Sequence, residues 1–138
     1  MKNLYFFLLA ICLTVTGCDT NKDNQIKYII GEWKLKKVTI PFIDKSYDYS
    51  QYSIVYEFKR NGVLTVSGET DVIDTYIGHT IGKYSYTFIE DKEGYGMVGL
   101  PYGLKIDDDT YWYKISSEEL TITRTPLDGY AYYLVKLK

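Results

Sequence analysis

His79 is the only histidine in the chain and the one side chain whose ordinary pKa suits proton transfer near neutral pH. It stands in Ile77-Gly78-His79-Thr80-Ile81-Gly82, between glycines, a composition that predicts an exposed loop. Without a second histidine it cannot complete a usual zinc site. The sequence contains neither a Gly-X-Ser-X-Gly elbow nor a phosphate-binding glycine loop. Asp107-Asp108-Asp109 are adjacent, whereas calcium loops space their ligands and end on a distal Glu. That run reads as a solvated turn, and Glu118-Glu119 reads the same way. No pair of carboxylates is set toward one cleft, as glycoside hydrolysis requires. These residues predict a protein that is not an enzyme and carries no cofactor and no metal.

The aromatic residues carry the stronger signal. Tyrosine occurs 16 times, and together with many β-branched residues it favours strands over helices. Tyr56, Phe58, Tyr84, Tyr86, Phe88, Tyr111 and Tyr113 fall at alternating positions of strand-like segments, so they are expected to face inward together. An eight-stranded barrel is just wide enough to be filled by side chains or to hold one small ligand. Seven rings serve either arrangement, and both stay open. Their hydroxyls favour a pocket, because each buried hydroxyl requires a partner that water or a polar ligand can supply.

The elements that must position these rings follow from alternation. Gly31 to about Ile40 forms a first strand stopped by Pro41, with a phase change across Lys36-Lys37 that predicts a bulge. Tyr52 to Lys59 is a second strand with Ile54, Tyr56 and Phe58 on one face, followed by Asn61-Gly62, a hairpin signal, and a return through Leu64 and Val66. Further strands are expected over Lys83–Ile89, Met97–Ile106, Tyr111–Ile115, Leu120–Arg124 and Tyr130–Leu137, separated by turns at Asp107–Asp109, Ser116–Glu119 and Pro126–Gly129. Eight strands joined mostly by short turns predict an all-β fold, an eight-stranded up-and-down barrel. A two-sheet β-sandwich is the alternative.

Before the barrel, Lys2 precedes an apolar run from Leu4 to Leu13, too short for a membrane span and suited to a secretory signal. Val15-Thr16-Gly17-Cys18 resembles the lipobox of bacterial lipoproteins, with small residues before the cysteine. The resemblance implies cleavage after residue 17 and acylation, such as palmitate, of Cys18. Cys12 would leave with the signal peptide and no free thiol would remain. Residues 18–27 are polar and read as a lipidated flexible tether, and residues 28–138 as the barrel domain. Acyl chains would anchor the domain in the cell envelope outside the cytoplasm, with the outer membrane preferred over the inner. The chain's net charge of −2 provides no basic field for nucleic acid.

Gly31-Glu32-Trp33 on the first strand resembles the Gly-X-Trp that opens lipocalins. With Tyr56-Glu57-Phe58, Asn61-Gly62, Gly82-Lys83-Tyr84-Ser85-Tyr86 and Leu120-Thr121-Ile122-Thr123-Arg124 in order, the chain is similar to small lipocalin-like lipoproteins of bacterial envelopes. The resemblance implies that Trp33 closes one end of the barrel with an arginine across it, for which Arg124 is the candidate. It also implies that the loop from Pro41 to Gln51 folds over the open mouth, with Phe42, Tyr47 and Tyr49 as lid residues. The expected function is a non-enzymatic, membrane-anchored binder of a small apolar or amphipathic ligand. The alternative is a filled barrel that engages an envelope protein through its loops, as an interaction or inhibitor module.

Overall fold

The computed structural model describes residues 28–70, 77–89, 102–124 and 129–138. The expected signal peptide, Cys18 and the tether lie outside these residues, as do 126–128 of the last turn and 97–101 of the weak strand. Among the described residues are nine strands: β1 Gly31–Ile40, β2 Lys45–Asp48, β3 Val55–Phe58, β4 Val63–Ser67, β5 Gly82–Ile89, β6 Tyr102–Ile106, β7 Asp109–Ile115, β8 Glu119–Thr123 and β9 Ala131–Lys136. From β3 to β9 each strand pairs with the next, all antiparallel, and β1 pairs with both β3 and β9. The result is a closed eight-stranded up-and-down barrel, with β2 as one extra strand. A sandwich has two open sheets, so the closing β1–β9 ladder rules that alternative out.

The extra strand corrects the expectation of a loop from Pro41 to Gln51. Pro41 stops β1, but Pro41–Ile43 then make one 3-10 turn and β2 runs back along β1, from Ile40 opposite Lys45 to Lys37 opposite Asp48. The same edge continues beyond β2. The Tyr49 amide donates to Lys36 O (2.8 Å), the Leu35 amide donates to Ile54 O (2.9 Å), and β3 then pairs with Lys34 to Gly31. β2 and β3 are thus one long strand interrupted by an excursion at residues 50–53.

Bulge and hairpin both fall where alternation places them. The β1–β9 register shifts between Leu35 and Lys37, so Trp33 and Leu35 face inward on one side of the bulge and Val38 does so on the other. The β3–β4 hairpin closes with the Lys59 amide donating to Val63 O (2.9 Å), through a loop in which Gly62 takes a φ of +79°. That is the left-handed position a three-residue hairpin loop reserves for glycine. Gly68, which leads out of β4, has a φ of +125°, and a Cβ there would collide with Ser53 O.

Register also defines the two ends. The foot gathers Gly31, Phe58, Lys136 and the turn from Ile115 to Glu119. The mouth gathers Thr39, Ala131, Thr123, the Asp107-Asp108 turn and the start of β5 at Gly82. Between them lies a continuous core of inward residues, including Trp33, Leu35, Ile54, Tyr56, Phe58, Leu64, Leu104, Tyr113, Leu120, Ile122 and Leu134.

Candidate functional site at the mouth of the barrel

At the foot, Trp33 is fully buried and donates its indole N–H to Ile29 O at 2.7 Å. The cation over its ring is not Arg124. Lys136 Nζ stands 5.3 Å from the ring centroid, on the β9 residue paired directly with Trp33. β8 runs from foot to mouth, so a residue just past its end reaches the opposite end of the barrel. There Arg124 Nη2 meets Asp109 Oδ1 at 2.6 Å, at the surface.

The seven inward aromatic residues divide between the ends. Phe58, Tyr86, Phe88 and Tyr113 pack ring to ring toward the foot, with centroids 5.2 Å apart for Phe58–Tyr86, 5.9 Å for Tyr86–Phe88 and 6.2 Å for Phe88–Tyr113. Offset and edge contacts at such distances are favourable beyond the area they bury. The Tyr86 hydroxyl donates to Lys59 O (2.7 Å) in the β3–β4 hairpin. Burial pushes the Tyr86 and Tyr113 hydroxyls above the usual phenol pKa.

Tyr56, Tyr84 and Tyr111 belong to the mouth, where they surround His79. The His79 ring lies 5.7 Å from Tyr56, 5.2 Å from Tyr84, 5.5 Å from Tyr111 and 5.4 Å from Tyr132. Its Nε2 shares a 3.1 Å hydrogen bond with the Tyr111 hydroxyl. This corrects the expected exposed loop histidine: Ile77 packs against the core and carries the imidazole in behind it. Burial lowers the His79 pKa to about 4, against the upward pull of Asp109 and Asp107. The ring is therefore neutral at pH 7. Burial, aided by Asp109, pushes the Tyr111 hydroxyl up to about 12.

The backbone beside His79 is held by the same rings. The Ile77 amide donates to the Tyr49 hydroxyl (2.9 Å) and the His79 amide to the Tyr56 hydroxyl (3.3 Å). The Tyr84 hydroxyl donates to Thr80 O (2.6 Å) and shares a 2.8 Å bond with Thr80 Oγ1. The lid residues fare differently from expectation. Phe42 is 76 % exposed at the hairpin tip, Tyr47 is half-buried in β2, and Tyr49 is buried in the wall. Among the described residues, the segment 77–80 lies in the mouth.

The acidic turn has no common focus. Asp107 Oδ1 accepts from the Ser85 amide (2.8 Å) and hydroxyl (2.9 Å), Asp108 lies 3.9 Å from Lys105 Nζ, and Asp109 pairs with Arg124. Among the described residues, no group of three or more His, Cys, Asp or Glu is placed to hold a metal. No helix among them is long and apolar enough to cross a membrane.

Tyr132, Tyr49 as a wall residue, His79 as an enclosed ring and Lys136 over Trp33 are the participants that sequence reasoning missed. The spacing of Ile77 and His79, two apart as on a strand, was a usable sign that both enter the barrel. Scans of protein-family models, of curated proteins and of solved structures found no match to this chain.

Proposed function

We propose that this chain is a lipid-anchored envelope protein of lipocalin-like type, without chemistry of its own, that binds a small apolar or amphipathic ligand at the mouth. The observation that carries this reading is the convergence of the Tyr49, Tyr56, Tyr84 and Tyr111 hydroxyls on one end of the barrel. Aromatic walls with a few aimed polar groups are what small-molecule sites are made of. The direction of the chain supports the anchor. Residues 28–31 enter at the foot, next to Trp33, so a tether from Cys18 would attach there and leave the mouth facing away from the membrane.

Two experiments test this. Cys18→Ala is expected to release the domain from washed membranes or leave the precursor uncleaved; an unchanged acylated peptide would end the lipoprotein reading. In lipid nanodiscs, an environment-sensitive apolar dye is expected to bind the full chain saturably and alter its tyrosine emission, with empty nanodiscs as the control. A folded protein with no saturable site would favour the second reading, an interaction module working through its loops. The exposed Phe42 and Ile43 at the hairpin tip are the observation on its side.

A further inference from the structure

Antiparallel neighbours such as β4 and β5 can be joined by two to five residues. Here the connection runs over residues 68–81, and its last part lies in the mouth rather than across the top of the hairpin. Residues 77–80 are held there much as a bound peptide is held. Two amide N–H groups, of Ile77 and His79, donate to hydroxyls of Tyr49 and Tyr56, and the Thr80 carbonyl accepts from Tyr84. The partners of the two amides, Tyr49 and Tyr56, come from wall residues far away in sequence, while Tyr84 is a local partner four residues beyond Thr80 on β5. Alternate side chains enter the interior, Ile77 against the core and His79 among four tyrosine rings, while Thr80 stays exposed. The chain bends at Gly78 between those two side chains, and a short segment fixed through its main-chain amides, with side chains seated on either side, is held as peptides are held in recognition sites.

We infer that the mouth is a site for a short peptide with an aliphatic residue and, two positions later, a flat ring, and that residues 77–80 occupy it in cis. This rests on the reading of the mouth as the binding site and names the chemical class of its ligand. Hydroxyl groups aimed at amide N–H and C=O are wasted on a purely hydrocarbon ligand, but each finds a partner on a peptide. A segment of the same chain has an effective concentration of about millimolar or above, so a free peptide must outcompete it.

The test uses the full chain in lipid nanodiscs and two probes, acetyl-Ile-Gly-His-Thr-amide and the same peptide N-methylated at the Ile and His amides. The Ile77→Gly/His79→Gly variant vacates both side-chain pockets. It is expected to bind the unmethylated peptide saturably and at least about tenfold more tightly than the methylated one, the loss expected for two amide hydrogen bonds. The unaltered chain is expected to bind neither at the same concentrations. Equal affinity for the two probes, or binding of neither by the folded variant, overturns the inference. If that variant takes up the apolar dye but no peptide, the peptide class falls and the mouth survives as a binding site. If it takes up neither, both fall.

Hydrogen exchange on the unaltered chain gives a second measurement that needs no altered protein. The Ile77 and His79 amides are expected to exchange by local opening that is insensitive to low denaturant. Exchange of these amides only through global unfolding would make residues 77–80 a fixed part of the core and overturn the inference.

Discussion

At the foot, the Tyr86 hydroxyl ends on Lys59 O in a three-residue hairpin loop, the Trp33 indole ends on Ile29 O, and the rings between them touch one another. At the mouth, the hydroxyls of Tyr49, Tyr56 and Tyr84 end on the backbone of residues 77–80, and the rings around His79 touch an imidazole rather than other tyrosines alone. The same residue type therefore does two jobs. Where a tyrosine's partner is a tight turn, it fixes the barrel. Where its partner is a long connection, its hydroxyl holds that connection against the barrel and lines the proposed site. The location of the partner, more than the ring, separates scaffold from proposed binding surface.

The largest effect belongs to the foot. Trp33→Ala removes a fully buried ring and is expected to cost about 3–5 kcal/mol in denaturant unfolding. A cost below about 1 kcal/mol would mean that the foot does not anchor the fold. At the mouth the comparable test is pH. The His79 pKa is lowered to about 4 in the folded protein, so between pH 6.5 and 4 the unfolded chain binds more protons at this site. The stabilisation is fully present above about pH 6.5 and is lost as pH falls through 4. The shift corresponds to on the order of 3 kcal/mol. Asp107, Asp109 and Arg124 also face this region, so the readout is the difference between unaltered protein and His79→Gln, in unfolding at pH 7 and pH 4.5. A pH dependence unchanged by His79→Gln would place the imidazole in water.

Smaller and more specific is a pair of hydroxyl deletions. Tyr86→Phe removes the hydrogen bond to Lys59 O and Tyr56→Phe the one from the His79 amide, and each loss is expected to cost about 0.5–1.5 kcal/mol. Their consequences should differ. Tyr56→Phe is expected to speed exchange of the His79 amide without disturbing the foot, and Tyr86→Phe to leave the mouth amides unchanged. Equal effects of both on His79 would erase the distinction between the ends.

Most of the barrel was legible in the sequence because β structure announces itself locally. Alternation placed Ile54, Tyr56 and Phe58 on the inner face, the phase change across Lys36-Lys37 marked the bulge, and Asn61-Gly62 marked a hairpin. β2 was missed because its four residues, Lys45–Asp48, are mostly exposed and alternate too weakly to stand out against a loop. The seven candidate rings were correctly expected to face inward. Their division between foot and mouth was not legible, since it depends on strand direction and stagger around the closed barrel. His79 was misread for a related reason. Its neighbours in sequence are glycines and a threonine, and the four rings that enclose it come from β3, β5, β7 and β9.

The smallest effect concerns the two cations, and it separates the ends most cleanly. Lys136 sits over Trp33 at the foot, with its ammonium beside a ring that is itself buried; Arg124 pairs with Asp109 at the mouth and is largely solvated. Lys136→Ala is expected to cost about 0.5–1 kcal/mol, the range of a cation–π contact near the surface. Arg124→Ala is expected to cost between about 0 and 1 kcal/mol, as exposed ion pairs do, and less at high salt. The double mutants decide which cation Trp33 feels. Lys136→Ala combined with Trp33→Ala should fall short of the sum of the single costs, because the ring the lysine needs is already gone. Arg124→Ala combined with Trp33→Ala should add within about 0.3–0.5 kcal/mol, since the two residues share no partner and lie at opposite ends of the barrel. Coupling in the Arg124 pair and additivity in the Lys136 pair would reverse the direction of β8 or β9 relative to β1, and with it the assignment of foot and mouth.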